Sequence, residues 1–398
     1  MSNLLFVNGG TRWKFDEEGC AYTDSNFNNL IWERYSILCD SLTVLMRREK
    51  NIYKKENAKS CFNEFKVENS SIISVNDLYK PKINLLKLNL RNQTKTIIED
   101  AVKKSDLVII RSLGNYVTDY AYRFGMKYEK KMLVEVTGFE FEGWWYHGLL
   151  GKLIAVPKEL LFRRKIHMSP YVLYVTNTSL QKRYPTKGIQ IGCTDVVITN
   201  CDGVEQKRRE KIKTIKSTSQ IVLGTAAHLN VDFKGQKYVI AALGTLKKRG
   251  ISNIVYELIG SGDGKKLLNY AKKHNVGNQV VIRGEMKHDE VDKWLDTIDI
   301  YIHPSLCEGL CRSIIEAMSR GCPVLCSDVG GNRELIHTEY RFKKGNSNDI
   351  AEHIKRTMNP DVLLEMSEDN YCRSKIFSNE KTDKARMEFY EAFSRREK

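Results

Sequence analysis

Proline is scarce, at 7 of 398 residues, and glycine numbers 26, so the chain is neither collagen-like nor of low complexity. No apolar run approaches the ~18 residues that cross a bilayer as a helix. The start, Met1-Ser-Asn-Leu-Leu-Phe-Val7, has no basic leader, and its apolar run is too short for a signal peptide. No zinc-finger, RNP or basic-zipper pattern accompanies the basic residues. No Asp-x-Asp pair, a common clamp for divalent ions, occurs anywhere.

What is present describes a folded chain. Hydrophobic residues make up 41% and charged residues 28%, too apolar for a disordered protein. At roughly 150 residues per domain, the length predicts two or three domains with their own cores. Lys and Arg total 64 against 49 Asp and Glu, a net charge of +15. Such a balance suits nucleic acid, an anionic membrane surface or an anionic small molecule, and charge alone does not choose among them. The ten cysteines are scattered and read as reduced cytosolic thiols. Cys307/Cys311 and Cys322/Cys326 form two C-x3-C pairs. Cys322-Pro-Val-Leu-Cys326 reads as a strand, which holds residues four apart at roughly 13 Å, against a tetrahedral zinc site.

Strand-like runs alternate with helix-length segments. Leu4–Val7 is expected to end in a turn at Asn8-Gly9-Gly10, followed by strands 41–45, 106–110, 131–136 and 172–175. Helices are expected over 29–40 and 117–128. Residues 206–216, with Lys207, Arg208, Arg209, Lys211, Lys213 and Lys216, read as a solvated linker or exposed helix. Alternation then restarts, with strands at 221–223, 254–259, 280–282, 299–302 and 324–327 and helices between them. Two doubly wound parallel-sheet domains are predicted, 1–205 and 206–375. Residues 376–398 form an amphipathic helix (Ala385, Phe389, Phe393) returning to the first domain. Ligands of such folds bind beyond the carboxyl ends of the strands, so the interdomain cleft is the expected site.

The densest chemistry lies in Pro304-Ser-Leu-Cys-Glu308-Gly309-Leu310-Cys311-Arg312-Ser313-Ile-Ile-Glu316. A strand ends, a loop carries Glu308 and Gly309, and a helix begins near 310–313 and stops at Gly321. A helix starting just past a parallel strand turns its free N–H groups and positive dipole end toward the cleft, which suits a phosphate. Glu316, one turn inside, is placed to accept hydrogen bonds from vicinal sugar hydroxyls.

With these motifs, residues 221–336 resemble the C-terminal domain of retaining GT-B glycosyltransferases of family 4, the group 1 glycosyl transferases. The marks are two glutamates with seven residues between them, then Gly321, the strand 324–327 and the Gly330-Gly331-Asn-Arg-Glu334 turn. Lys234-Gly235, Gly260-Ser-Gly262-Asp-Gly264 and Arg283-Gly284 match the family's other landmarks in order. The resemblance implies a GT-B fold and transfer from a nucleotide-diphosphate sugar with retained anomeric configuration, in cell-surface or capsular polysaccharide assembly. It implies that Glu308 contacts the donor sugar and Glu316 the ribose hydroxyls. The backbone at Gly309, Leu310 and Cys311 would hold the diphosphate, Lys234 would neutralise it, and Gly284 and Met286 would frame the base. A cation helps because the leaving diphosphate gains charge in the transition state. The family's usual arginine six residues before the lysine is His228 here, so Arg312 is a candidate second cation. Gly-Leu-Cys stands where Gly-Phe-Gly is common.

The first domain resembles the family only in topology. Gly9, Gly10, Glu140 and His147 are its candidate contacts. Glu135, inside an apolar strand, is costly unless paired and is expected to reach the cleft. His303 reads as core. Leu160–Lys165 reads as a basic amphipathic membrane contact or an ordinary exposed helix. No cofactor and no obligatory metal are expected. The expected partners are the nucleotide sugar, a saccharide or lipid-linked saccharide acceptor and an anionic membrane surface, without nucleic acid. The setting is cytoplasmic, peripheral to the inner membrane face. The competing readings are a glycoside hydrolase, whose carboxyl pair would stand about 5 to 9.5 Å apart, a nucleotide-sugar epimerase, and a non-catalytic basic binding protein on the same fold.

Overall fold

A computed structural model describes residues 2–23, 27–196, 198, 203–216 and 218–395, the side chains of 82, 288 and 379 excepted. Met1, Cys201 and Arg396 lie outside the described residues. The first domain is built on β1 (Asn3–Asp16), β2 (Ala21–Thr23), β3 (Ser41–Tyr53), β4 (Asn63–Glu64), β5 (Ser70–Asn76), β6 (Leu107–Arg111), β7 (Lys131–Val136), β8 (Tyr171–Tyr174) and β9 (Ile189–Gly192). Its parallel order is β5-β3-β1-β6-β7-β8-β9, with β2 and β4 added antiparallel beyond the far end of β1. The second domain holds β10 (Ile221–Ala226), β11 (Ile254–Ile259), β12 (Val280–Gly284), β13 (Ile300–His303), β14 (Val324–Ser327) and β15 (Arg341–Phe342). Their order is β12-β11-β10-β13-β14-β15, all parallel.

Both sheets are covered on both faces, which explains why their strands read as continuous apolar runs. Within them the period of two still sorts residues. Leu5, Val7, Val108, Ile110 and Val134 join a core with the helices Leu88–Lys104, Tyr116–Lys127 and Gly148–Met168. Leu4, Phe6, Ile109 and Leu133 join another with Trp32, Tyr35, Phe389, Tyr390 and Phe393. The last three belong to the C-terminal helix Asn379–Ser394, which crosses back to the first domain. Burying each of these rings contributes about 1.5–3 kcal/mol.

Four expectations need correction. The chain does not turn at Gly9-Gly10. β1 continues to Asp16, with a pairing irregularity against β3 between Val7 and Arg12. Buried Trp13 and Phe15 and paired Lys14 and Asp16 carry the strand onward. Second, the helix from Asn29 ends at Ser36 rather than residue 40. Third, of the two readings of 206–216 the helix holds and the solvated linker does not, and one face of that helix is buried. The helix Val204–Lys213 buries Arg208, which donates to the carbonyls of Leu295 and Ile298, while Lys211 donates to that of Thr297. These cations satisfy the carboxyl end of the His288–Thr297 helix and oppose its dipole. Fourth, Glu135 does not reach the cleft. It is fully buried against Arg111 at 2.6 Å and the hydroxyls of Tyr35 and Tyr390, at 3.0 and 2.7 Å. Arg111 also pairs with Asp195.

Candidate active site

In the second sheet the strand order reverses between β10 and β13, the switch point at which open α/β sheets bind ligands. The loops leaving these two strands are stapled together. Leu306 N donates to Phe233 O at 2.7 Å. Gly235, at φ +77°, comes so close to Pro304 O that an added Cβ would lie 2.0 Å from it. That approach, open only to glycine, sets Lys234 opposite the loop after β13.

There Lys234 Nζ donates to Glu308 Oε1 at 2.7 Å, and His303 Nε2 lies 2.9 Å from the same oxygen. Burial works to raise the Glu308 pKa. Lys234 and His303 outweigh it and hold the carboxyl well below its ordinary range. Burial would lower His303, but Cys311, 3.3 Å from its Nε2, and Glu308 raise it to about 9. Lys234 is raised against its own burial by Glu308. The group is an ionised carboxylate held between the Lys234 ammonium and the His303 ring at the edge of the cleft. Cys307 alongside is pushed up to about 12 by burial and stays a neutral thiol.

The helix Arg312–Ser319 starts directly after this loop, with Cys311 at its N-cap position and no side-chain cap, and gives way at Gly321 to a left-handed turn. Glu316 lies one turn inside, half-buried. Ser313 accepts from Tyr301 OH at 2.7 Å, which ties the first turn to β13. His228, exposed on the loop after β10, accepts from Asn230 N through Nδ1. The loops after β11 and β12 meet it: Gly260 packs on Ala227 O and donates to Gly284 O. Met286, half-buried, packs on the domain core beyond Gly284. His228, Gly284 and Met286 thus share one rim.

Gly309 and Leu310 face the first domain closely. A Cβ on Gly309 would lie 2.1 Å from Thr137 O, and Leu310 touches the cores of both domains. Beside Glu308 the cleft opens into a cavity of about 660 Å³, whose walls include Leu306, Cys307, Lys344, Arg183 and Phe139. Lys234, Glu316, His228 and Met286 do not line it. Glu334, from the turn after Gly331, accepts from the N–H groups of Asn177, Thr178 and Ser179, binding one domain to the other.

On the first domain, Gly9 sits within β1, its carbonyl accepting from Arg47 and Asn115. A Cβ there would strike Asn115 Nδ2 at 2.1 Å, so close packing fixes this glycine. Gly10 donates to Asn8 Oδ1. Glu140 accepts from Trp144 Nε1 at 2.7 Å and lies against Gly114. Burial raises its carboxyl to about 7. His147 is exposed, and its ring stands 6.4 Å from Phe233, at the mouth of the cleft rather than beside Glu308.

His303, which reads from the sequence as core, also touches the candidate residue Glu308. It is indeed buried, and only its position five residues before Glu308, at a strand's carboxyl end, could have pointed to its role. Among the described residues, the ligand-type side chains that come together are His303, Glu308 and Cys311, their ligand atoms within 4.8 Å of one another. The carboxylate oxygen they offer is the one Lys234 engages. Cys322 and Cys326 take no part in such a group, and the nine described cysteines are free thiols.

Two Rossmann-like domains facing each other across this cleft define the GT-B fold. Residues 206–371 match the family described as Glycosyl transferases group 1. Protein CapJ of Staphylococcus aureus is 31% identical over 358 residues, covering 89% of this chain and 86% of CapJ. The UDP-Gal:alpha-D-GlcNAc-diphosphoundecaprenol alpha-1,3-galactosyltransferase of Escherichia coli is 30% identical over 131 residues, 32% of this chain and 33% of the enzyme. The structure of Anabaena HepE in complex with UDP-glucose superposes with a TM-score of 0.64 at 14% identity, over 98% of this chain and 99% of HepE. The chain belongs to the group 1 glycosyl transferases.

Proposed function

We propose that this glycosyltransferase is a retaining enzyme of family 4. It moves a hexose from a nucleotide-diphosphate sugar to a hydroxyl of a lipid-linked saccharide during cell-surface polysaccharide or glycolipid assembly. The observation that carries this is the ionised Glu308, held between Lys234 and His303 at the sheet's switch point beside a helix start. The leaving diphosphate lies at that helix start, where free N–H groups, Lys234 and Arg312 meet the charge it gains. Glu308 lies along the donor sugar, and Glu316 accepts from the ribose hydroxyls. The rim of His228, Gly284 and Met286 takes the base. Lysine and helix dipole supply the positive charge, so no divalent ion is required.

The names of similar proteins support the substrate classes. HepE is seen with UDP-glucose. The Escherichia coli relative acts on a diphosphoundecaprenol-linked sugar. Among the described residues no helix is long and apolar enough to cross a membrane. In this reading the lipid-linked acceptor is met by surface contact, at the cytoplasmic face of the membrane.

The test is a panel of UDP-, GDP- and ADP-sugars with a lipid-linked saccharide acceptor. One donor is expected to be consumed, and the product's anomeric configuration, read by NMR, is expected to equal the donor's. Inversion would reject the retaining mechanism, and tight DNA binding without nucleotide binding would favour a basic binding protein. Activity is expected to survive a chelator. Its loss, with recovery in Mn²⁺, would contradict the metal-free reading.

A further inference from the structure

The helix Gly148–Met168 has an inner face of Ala155, Phe162 and Ile166, all buried. At 3.6 residues per turn its outer half carries Leu149, Leu150, Leu153, Val156, Leu160 and Leu161, which are 53% to 81% exposed. Single exposed leucines are ordinary, but a contiguous row on one helix is not. The helix is also fixed against turning this row inward. Lys158 and Lys165 both bind Asp119 of the neighbouring helix, and Glu159 accepts from Tyr184 OH at 2.8 Å.

Charge tells what covers the row. Lys152 and Arg164 are exposed beside it, and Arg163 is exposed although it pairs with Glu159. Half-exposed Trp145 lies under Lys152 at its amino end. An apolar row flanked by basic side chains and an aromatic ring matches the boundary between acyl chains and anionic headgroups. A second exposed apolar group, Ile83, Leu85, Leu86 and Leu88, leads into the Leu88–Lys104 helix, which packs on the same side of the first sheet. The row also runs toward the site. Tyr146 and His147, where the helix begins, stand against Phe233 beside Lys234.

We propose that the Gly148–Met168 helix lies flat on an anionic phospholipid surface, its leucines inserted and its basic residues on the headgroups, so that the cleft mouth opens at the bilayer. This rests on the reading of a lipid-linked acceptor and names the face that meets the lipid.

The test is co-sedimentation of the full chain with vesicles of phosphatidylcholine alone or mixed with phosphatidylglycerol. The chain is expected on the mixed vesicles and largely absent from the neutral ones. Leu150→Ser/Leu153→Ser/Leu160→Ser is expected to cut binding roughly tenfold or more, and Lys152→Ala/Arg164→Ala roughly tenfold. Melting temperature and transfer to a water-soluble acceptor are expected to stay unchanged in both. Equal binding of the triple variant and the wild type would overturn the proposal. So would absence from anionic vesicles, or self-association in ultracentrifugation that the triple variant abolishes. A wild-type chain that binds anionic vesicles through these leucines but consumes no donor would support this surface and refute only the transfer reading.

Discussion

Glu135 and Glu308 are both carboxylates withdrawn from water and paired with a cation, one in each domain. Glu135 is sealed: Arg111, Tyr35 and Tyr390 fill its surroundings, and Tyr390 comes from the C-terminal helix 255 residues away. Glu308 keeps a side on the cleft, and its side chain retains 12% of its accessibility. The same pairing of charges therefore does two kinds of work. In the first domain it fastens a helix that closes the fold. In the second it holds an anion and a cation ready at a surface that a ligand can reach. What separates them is the surrounding packing rather than the pair itself.

The comparison yields graded expectations. Glu135→Ala leaves Arg111 short of a partner in a buried place and is expected to cost about 3–5 kcal/mol in denaturant unfolding. Glu308→Gln also takes a charge from Lys234, but beside an open cleft, so it is expected to cost less in unfolding, about 1–3 kcal/mol, while lowering kcat on the order of 100-fold or more. If Glu308→Gln instead unfolded the chain while Glu135→Ala spared it, the two roles would be reversed. A third carboxylate gives a smaller effect. Glu140 has a pKa raised by burial to about 7, above its ordinary 4.5. Its contribution to stability is complete below pH 4.5 and is lost as pH rises toward and through 7. Glu140→Gln cannot ionise, so it is expected to gain roughly 1–2 kcal/mol over wild type at pH 8 and nothing at pH 4.5. An identical pH profile for both proteins would remove Glu140 from the buried groups.

Much of this frame is legible in the chain itself, for a physical reason. Strands covered on both faces must be apolar throughout, so runs such as 107–110 and 254–259 declare themselves, and the helices between them set the parallel order. Glu308, Glu316 and the turn at Gly321 stand at spacings that a loop and a helix fix locally. Other features depend on partners distant in sequence. Trp13 and Phe15 extend β1 past two glycines because the sheet and its edge hairpin bury them. Arg208 lies in a strongly basic stretch, and only the carbonyls of Leu295 and Ile298 explain its burial. A histidine in a strand looks the same whether it only fills a core or also meets a carboxylate five residues on, so His303 reads as core, where it does lie, and its contact with Glu308 does not show in the sequence. The Gly148–Met168 helix is apolar on both sides, so no periodicity marks which face is inside.

The central claim is that the start of the Arg312–Ser319 helix, with Lys234 and Glu316, receives a nucleoside diphosphate. Calorimetric titration of UDP, GDP and ADP into wild type and Glu316→Ala tests it most directly. One nucleotide is expected to bind the wild type, and the variant to bind it roughly tenfold more weakly, the loss of a charged hydrogen bond. Absence of binding by all three, or equal affinity for wild type and variant, would contradict it.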